Sequence, residues 1–539
     1  MHLSFPSPRA RARSGLTGLL LLIAALTMAL PGLARAQVTA FNQAVATAAA
    51  GDRDIAGFYK AVNYEGIWTG KDDRARRAAL ISALERAGDH GLPTARFSPD
   101  ALKAKMDATK DPAALGRLEV EISALFLDYA RSLQTGLLTP SRIDEGLVRE
   151  VPYRARQSYL VNLMKSDPRG FFNALAPRTP EYTRLMKEKL RLETLIGRGG
   201  WGPTVAATKL EPGASGPSVI ALRDRLAAMG FIGRSATQTY DAEIQSAVQQ
   251  FQLAHGLSPD GVAGSGTLKE LNASPERRLQ SVIVAMERER WFNRPRGKRH
   301  VLVNLTDFKA RIIDNNAVTF ETRTVVGANQ SDRRSPEFSD VMEFLVINPS
   351  WYVPRSIATK EYLPMLQENP NAVRHLEITD SNGRRIDRSA VDFTSLTEKT
   401  FPFAMREPPS QGNALGIVKF MFPNRYNIYL HDTPAKSLFS REVRAYSHGC
   451  IRLAEPREFA YALLARQTAD PQGYFQSVLA TGRETRVNLK QPVPVHIIYR
   501  TAYTQADGRT QFRRDVYGRD ARIWAALAKE GVALRSVQG

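Results

Sequence analysis

NIYLHDT at 427–433 and SHGCIR at 447–452 are the stretches on which the reading of this chain turns, because Cys450 is its only cysteine in 539 residues. A thiolate is a strong nucleophile, but a free cysteine has a pKa of about 8.5, so the thiol needs a proton acceptor. Residues 427–431 alternate as a strand does, with Ile428 and Leu430 turned to the core and Tyr429 and His431 turned to a cleft. Gly449 lets the chain turn tightly and approach a ligand, leaving the backbone N–H groups of Gly449 and Cys450 to receive an oxyanion. Taken singly, a histidine at a strand end is usually a surface residue and a lone cysteine usually buried and inert. Their joint occurrence here points to chemistry.

Outward from this centre, the hydrophobic period is two from about residue 300. Strands are expected at 300–305, 318–326, 342–347, 417–422, 427–431 and 495–499. Between the third and fourth lies a proline-rich insert, about 350–416, of the kind that serves as a lid. Upstream the period is helical. Leu80 and Leu84 precede a stop at Gly88, and Leu118, Ile122, Leu125 and Tyr129 follow Pro112. Gly197, Gly199, Gly200 and Gly202 surround Trp201 without a preceding strand or a following Gly-Lys-Ser/Thr, so they read as a linker. Val219, Leu222, Leu226 and Met229 form one short apolar face, and Ile244, Val248 and Phe251 another, within a compact three-helix unit. Ser274 and Pro275 open a further helix.

The expected class is multidomain α+β. Its parts are a helical scaffold (37–200), a three-helix module (205–273), a linker helix (274–297), a mostly β catalytic domain (298–505) and a helical C-terminal tail (506–539). Length alone calls for two to four domains. The net charge of +20, from 74 basic and 54 acidic residues, suits an anionic partner. Arg9, Arg11 and Arg13, an apolar run at 16–30 and Ala34-Arg35-Ala36 form a secretory signal pattern, with cleavage expected after Ala36. Export argues against nucleic acid as partner and leaves membrane contact to the signal peptide alone. It also makes an unpaired thiol a liability unless it is used or hidden. The eight histidines form no zinc pattern, and no Ser-x-x-Lys occurs.

The His, the loop at 432–446 and the Ser-His-Gly-Cys run resemble the signature of the YkuD-type L,D-transpeptidase domain. NPSWYVPRSIA (348–358), NALGIVKFMFPN (413–424) and VPVHIIYRTAY (493–503) extend the likeness to large periplasmic members. SVIALRDRLAAMGF (218–231) and AVQQFQLAHGLSPDG (247–261) resemble the peptidoglycan-binding three-helix module. The resemblance implies Cys450 as nucleophile and His431 as proton acceptor and donor, with the Asp432 carbonyl orienting the imidazole. It implies His448, Gly449 and Cys450 around the oxyanion, and Arg452, Tyr429, Ser447 and Trp351 toward substrate. No metal or organic cofactor is implied. The partners would be donor and acceptor peptidoglycan stem peptides, carbapenem-type β-lactams the inhibitors, and the site of action the periplasm. The acceptor stays open among a second stem, water and a protein lysine, and a wall-binding protein without catalysis is the reading from another class.

Overall fold

The computed structural model describes residues 39–505 and 507–536; the expected signal peptide lies outside them. The architecture is α+β, helical in its N-terminal half and mostly β beyond residue 298. Several helices begin with the same local device, an Asp, Ser or Thr followed by proline. Ser98, Asp111, Asp167, Thr179 and Ser274 each accept an N–H from the first turn, and the proline after each occupies a position whose N–H needs no partner. The longest helix, Pro112–Thr135, buries Leu118, Ile122, Phe126 and Tyr129 at helical spacing against the helical core.

The strands are β1 Arg299–Asn304, β2 Lys309–Asp314, β3 Ala317–Gly327, β4 Phe338–Ile347, β5 Trp351–Tyr352, β6 Glu377–Thr379, β7 Ala404–Glu407, β8 Val418–Met421, β9 Leu430–His431, β10 Ala445–Ser447, β11 Ile451–Leu453, β12 Thr485–Ile498, β13 Ala502–Thr504 and β14 Thr510–Phe512. Nine form one sheet in the order β10-β3-β11-β9-β8-β4-β12-β1-β2, and a β2–β3 pairing closes the order on itself. Strand β12 carries Pro492 and Pro494, which lack a donor for the ladder. Pro492 falls in a register break between Asn488 and Val493, and Pro494 lies just before the pairing with β1 begins at Val495.

Three expectations are corrected. The helix Pro275–Trp291, expected as a linker, is more than one. It buries thirteen residues, and its Arg288 bonds Glu337 before β4 and Asp520 near the C-terminus. The supposed tail is likewise packed. The hairpin β13–β14 straddles the boundary expected at 505, and Ile523 and Leu527 of helix Arg519–Lys529 share a core with Val282 and Met286. Asn427 to Tyr429 are not in a strand, since β9 has only two residues. The insert is also more than a loop. β5, β7 and β6 form a separate sheet over a core that includes Leu363, Leu366, Ile378, Phe393 and Met405.

Candidate active site

Strand β9 lies inside the closed sheet, where His431 is in register with Lys419 on β8 and with Arg452 on β11. Ile428, Leu430, Ile451 and Leu453 point into the core. Tyr429 and Cys450 border that core, the Tyr429 carbonyl accepting the Ile451 N–H, and the Tyr429 ring centre lies 5.6 Å from that of His431. Tyr429, His431, Cys450 and Arg452 make a two-by-two patch with Cys450 beside Tyr429 and Arg452 beside His431. Cys450 and His431 stand at opposite corners of it. Among the described residues the two are not hydrogen-bonded to each other: the thiol lies 3.4 Å from the Asn427 carbonyl, and His431 Nδ1 lies 2.5 Å from the Asp432 carbonyl.

That second bond fixes the imidazole. A carbonyl only accepts, so Nδ1 carries the proton and Nε2 is the bare nitrogen of the neutral ring. Burial, then the charges of Arg452, Lys419 and Lys436, push the His431 pKa down to about 3. The half-buried Cys450 thiol is pushed up to about 11 by burial, partly offset by hydrogen bonding from Tyr429 and the charge of Arg452. Both partners are therefore neutral at pH 7, not the ion pair that proximity alone suggests.

Asp432 holds this end of the strand. Its carboxylate accepts the N–H groups of Ile417 (3.0 Å) and Thr433 (2.7 Å) and the Lys436 ammonium (2.5 Å). Gly416, at φ +58°, is required beneath it, because a Cβ there would overlap the carboxylate. Asn424 shapes the turn before the strand, accepting from the Tyr426 and Ile428 N–H groups, and Asn427 at φ +53° presents its carbonyl to the thiol.

The turn around Cys450 departs from expectation at two residues. Ser447 is 2% exposed and does not face a ligand. Its hydroxyl donates to the Cys450 carbonyl (2.5 Å) and accepts the Gly449 N–H (3.2 Å). Gly449 N–H is thus engaged, while the Cys450 N–H has no acceptor among the described residues. Gly449 itself sits at φ +112°, where only glycine is at ease, and its carbonyl accepts from Ser335 Oγ at 2.6 Å. His448 is exposed on the other side of the turn, where its Nε2 meets Glu361 of the insert at 2.6 Å; Arg333 binds the same carboxylate at 2.6 Å. Trp351, expected at the cleft, belongs to the insert's sheet and packs edge-on against Tyr362.

Arg452 forms no ion pair among the described residues, and its buried Nε has no hydrogen-bond partner. A half-buried guanidinium without a carboxylate, one strand position from the imidazole, is a ready receptor for an external anion.

Sequence reasoning missed Ser335, Tyr517, Glu361, Asn427 and Lys419. Ser335 is fully buried, accepting the Gly327 N–H and donating to Gly449. Tyr517, also buried, donates to the Gly327 carbonyl at 2.6 Å and accepts the Ser335 N–H at 3.4 Å. Nothing in the local sequence marks either, since each acts across more than a hundred residues. The strap that carries Ser335 is also gripped from the scaffold side: Val148 N–H donates to the Glu337 carbonyl and Glu337 N–H to that of Gly146.

Residues 298–495 match the family model of the L,D-transpeptidase catalytic domain named YkuD. Residues 53–188 match a scaffold domain, and residues 215–271 a "Putative peptidoglycan binding domain". A curated relative from Haemophilus influenzae, named "Putative L,D-transpeptidase", is 31% identical over 225 residues, 41% of this chain and 45% of the relative, so the chain spans about half the length of the relative it matches. Solved L,D-transpeptidases from Xylanimonas cellulosilytica (16% identity, 55% of this chain and 100% of that one, TM-score 0.16) and Stackebrandtia nassauensis (14%, 55% and 97%, 0.22) are also similar; scores so low carry no argument. Among the described residues no helix is long and apolar enough to cross a membrane.

Proposed function

We propose, because residues 298–495 match the model of the L,D-transpeptidase catalytic domain and are joined here to matches of a scaffold domain and a peptidoglycan-binding-type module, that this protein is a cysteine acyltransferase that cross-links peptidoglycan stem peptides through a thioester on Cys450. The observation that carries this reading is the patch itself: a solitary thiol, an imidazole with Nε2 bare, and an unpaired guanidinium as neighbours.

The chemistry follows from the two neutral groups. Cys450 attacks the carbonyl of the diamino-acid residue in a tetrapeptide stem while His431 Nε2 takes the thiol proton. No stable thiolate forms first, because thiol and imidazole are both held neutral. Negative charge developing on the carbonyl oxygen is received by the Cys450 N–H, which has no acceptor of its own. The C–N bond to the terminal D-Ala breaks, and His431 returns the proton to the leaving amine. An amine of a second stem then attacks the thioester; its proton passes through His431 to the departing sulfur. Arg452 holds a stem carboxylate, and Tyr429 lines the cleft beside the thiol. His448 acts from the rim, where it joins the turn to the insert, and the insert forms the lid. Water or a protein lysine as acceptor would use the same acyl-enzyme. The expected signal peptide places the enzyme in the periplasm, associated with the wall.

The test is intact-protein mass spectrometry after exposure to a carbapenem, with muropeptide products resolved by mass. A single adduct lost in Cys450→Ala, with dimeric products from tetrapeptide donors, supports the reading. Absence of any adduct and product favours a wall-binding protein without catalysis.

A further inference from the structure

The two oxygens of the Asp432 carboxylate hold different parts of the chain. Oδ1 accepts the Thr433 N–H at 2.7 Å and the Lys436 ammonium at 2.5 Å, and Oδ2 accepts the Ile417 N–H at 3.0 Å. The Thr433 N–H and the Asp432 carbonyl are the two ends of one planar peptide unit. That carbonyl is the group bonded to His431 Nδ1. Gripping the N–H end of a rigid plane fixes the direction of its carbonyl end, so the carboxylate sets the bond that leaves Nε2 bare. Asp432 is only 6% exposed, so little water competes for these contacts.

The other oxygen reaches the insert. Ile417 is the first residue after it, and the Ile417 carbonyl accepts the N–H of Asn348, just before the insert begins, at 2.9 Å. The two ends of the insert therefore meet at one residue, and that residue is bonded to Asp432. The stretch leading into it is tightly held. Asn413, fully buried, donates to the carbonyls of Glu407 (3.2 Å) and Pro408 (3.0 Å) and accepts the Leu415 N–H (2.8 Å). The Glu407 carboxylate accepts the Ala414 N–H at 2.9 Å, and the Asn413 carbonyl accepts the Gly416 N–H at 2.8 Å. Glu407 ends β7, the middle strand of the insert's own sheet. Hydrogen bonds thus run without a break from that sheet through 413–417 to the Asp432 carboxylate, and across one peptide plane to the imidazole. At the insert's other root Lys419, the register partner of His431, donates to the Ser350 carbonyl at 3.3 Å.

We propose that the Asp432 carboxylate is a positioning residue that sets the tautomer of His431 and makes it depend on how the insert is seated, so that the insert regulates the general base as well as covering the cleft. The inference rests on the reading of His431 as the base of the acyl transfer. It goes beyond the role of the Asp432 carbonyl by giving one to the side chain and to the insert behind it.

Asp432→Asn tests it, because a carboxamide has a single accepting oxygen. In either orientation its NH2 group faces the N–H of Ile417 or that of Thr433, donor against donor. The full chain is labelled with ¹⁵N-histidine, and His431→Gln assigns the ring nitrogens. In the unmodified chain the protonated nitrogen of His431 is expected to be Nδ1. In Asp432→Asn a population protonated on Nε2 is expected to appear. Carbapenem acylation of Cys450 is expected to slow about 10- to 100-fold, the lower part of what a positioned base contributes. Alkylation by iodoacetamide is expected to keep its rate. Asn413→Ala loosens the end of the insert without touching Asp432 or His431; it is expected to bring in the same Nε2-protonated population, and it carries the test if Asp432→Asn does not fold. An unchanged tautomer in either variant, or equal falls in acylation and alkylation, would overturn the proposal. The two readings fail separately. No acylation of the unmodified chain, or acylation undisturbed by a changed tautomer, sinks His431 as the base, whereas an unchanged tautomer beside normal acylation sinks the positioning role alone.

Discussion

Tyr517→Phe removes one oxygen atom from a buried ring and nothing else. The ring stays packed on Tyr499, 5.6 Å between centres. What is lost is the 2.6 Å bond to the Gly327 carbonyl and the longer one from the Ser335 N–H. Orphaning a buried backbone group costs about 1–3 kcal/mol. Ser335 is also what holds the Gly449 carbonyl, one residue from the thiol. If one-half to all of that cost appears as displacement of the turn in the transition state, acylation slows between about 2-fold and about 140-fold, at about 1.4 kcal/mol for each factor of ten. The assay compares two reactions of the same sulfur. Carbapenem acylation needs the N–H of Cys450 aimed at an oxyanion; alkylation by iodoacetamide needs only the thiolate. Acylation is expected to fall and alkylation to hold. Equal falls in both would mean that the variant merely loosens the domain, and no change in either would refute the idea that the C-terminal segment positions the turn.

The iodoacetamide rate should climb steadily from pH 7 to pH 10, because burial holds Cys450 near a pKa of about 11; a plateau below pH 8 would reveal a thiolate–imidazolium pair instead. His431 and His496, each held down to about 3, bind a proton less readily folded than unfolded. Between pH 6.5 and 3 the unfolded chain therefore takes up more protons, and stability falls with falling pH, by at most about 3 kcal/mol per unit from these two. Urea unfolding at pH 7 and pH 5 measures it. Glu361→Ala frees His448 and Arg333 from the insert; the pairs are one-third exposed, so stability should change by less than about 1 kcal/mol, while KM for a tetrapeptide donor rises and amide exchange quickens at 355–368.

The candidate site was legible in the sequence because its elements are short-range. Cys450, the glycine before it and the His431–Asp432 pair lie in one continuous stretch, and their backbone geometry follows from residue type: Gly449 at positive φ, His431 ending an apolar pair. Helix starts were equally readable, since a capping side chain and its proline are neighbours. Tertiary structure decided the rest. Whether Ser447 faces ligand or turn depended on which N–H and carbonyl came within reach of its hydroxyl, and whether thiol and imidazole are charged depended on burial and on three cations, Lys419 and Arg452 on neighbouring strands and Lys436 in the turn after β9. Ser335, Tyr517 and the linker-like helix with Arg288 took their roles from partners far along the chain. A sequence determines directly what neighbours along the chain do to each other; desolvation and long-range hydrogen bonding exist only once the chain has closed on itself.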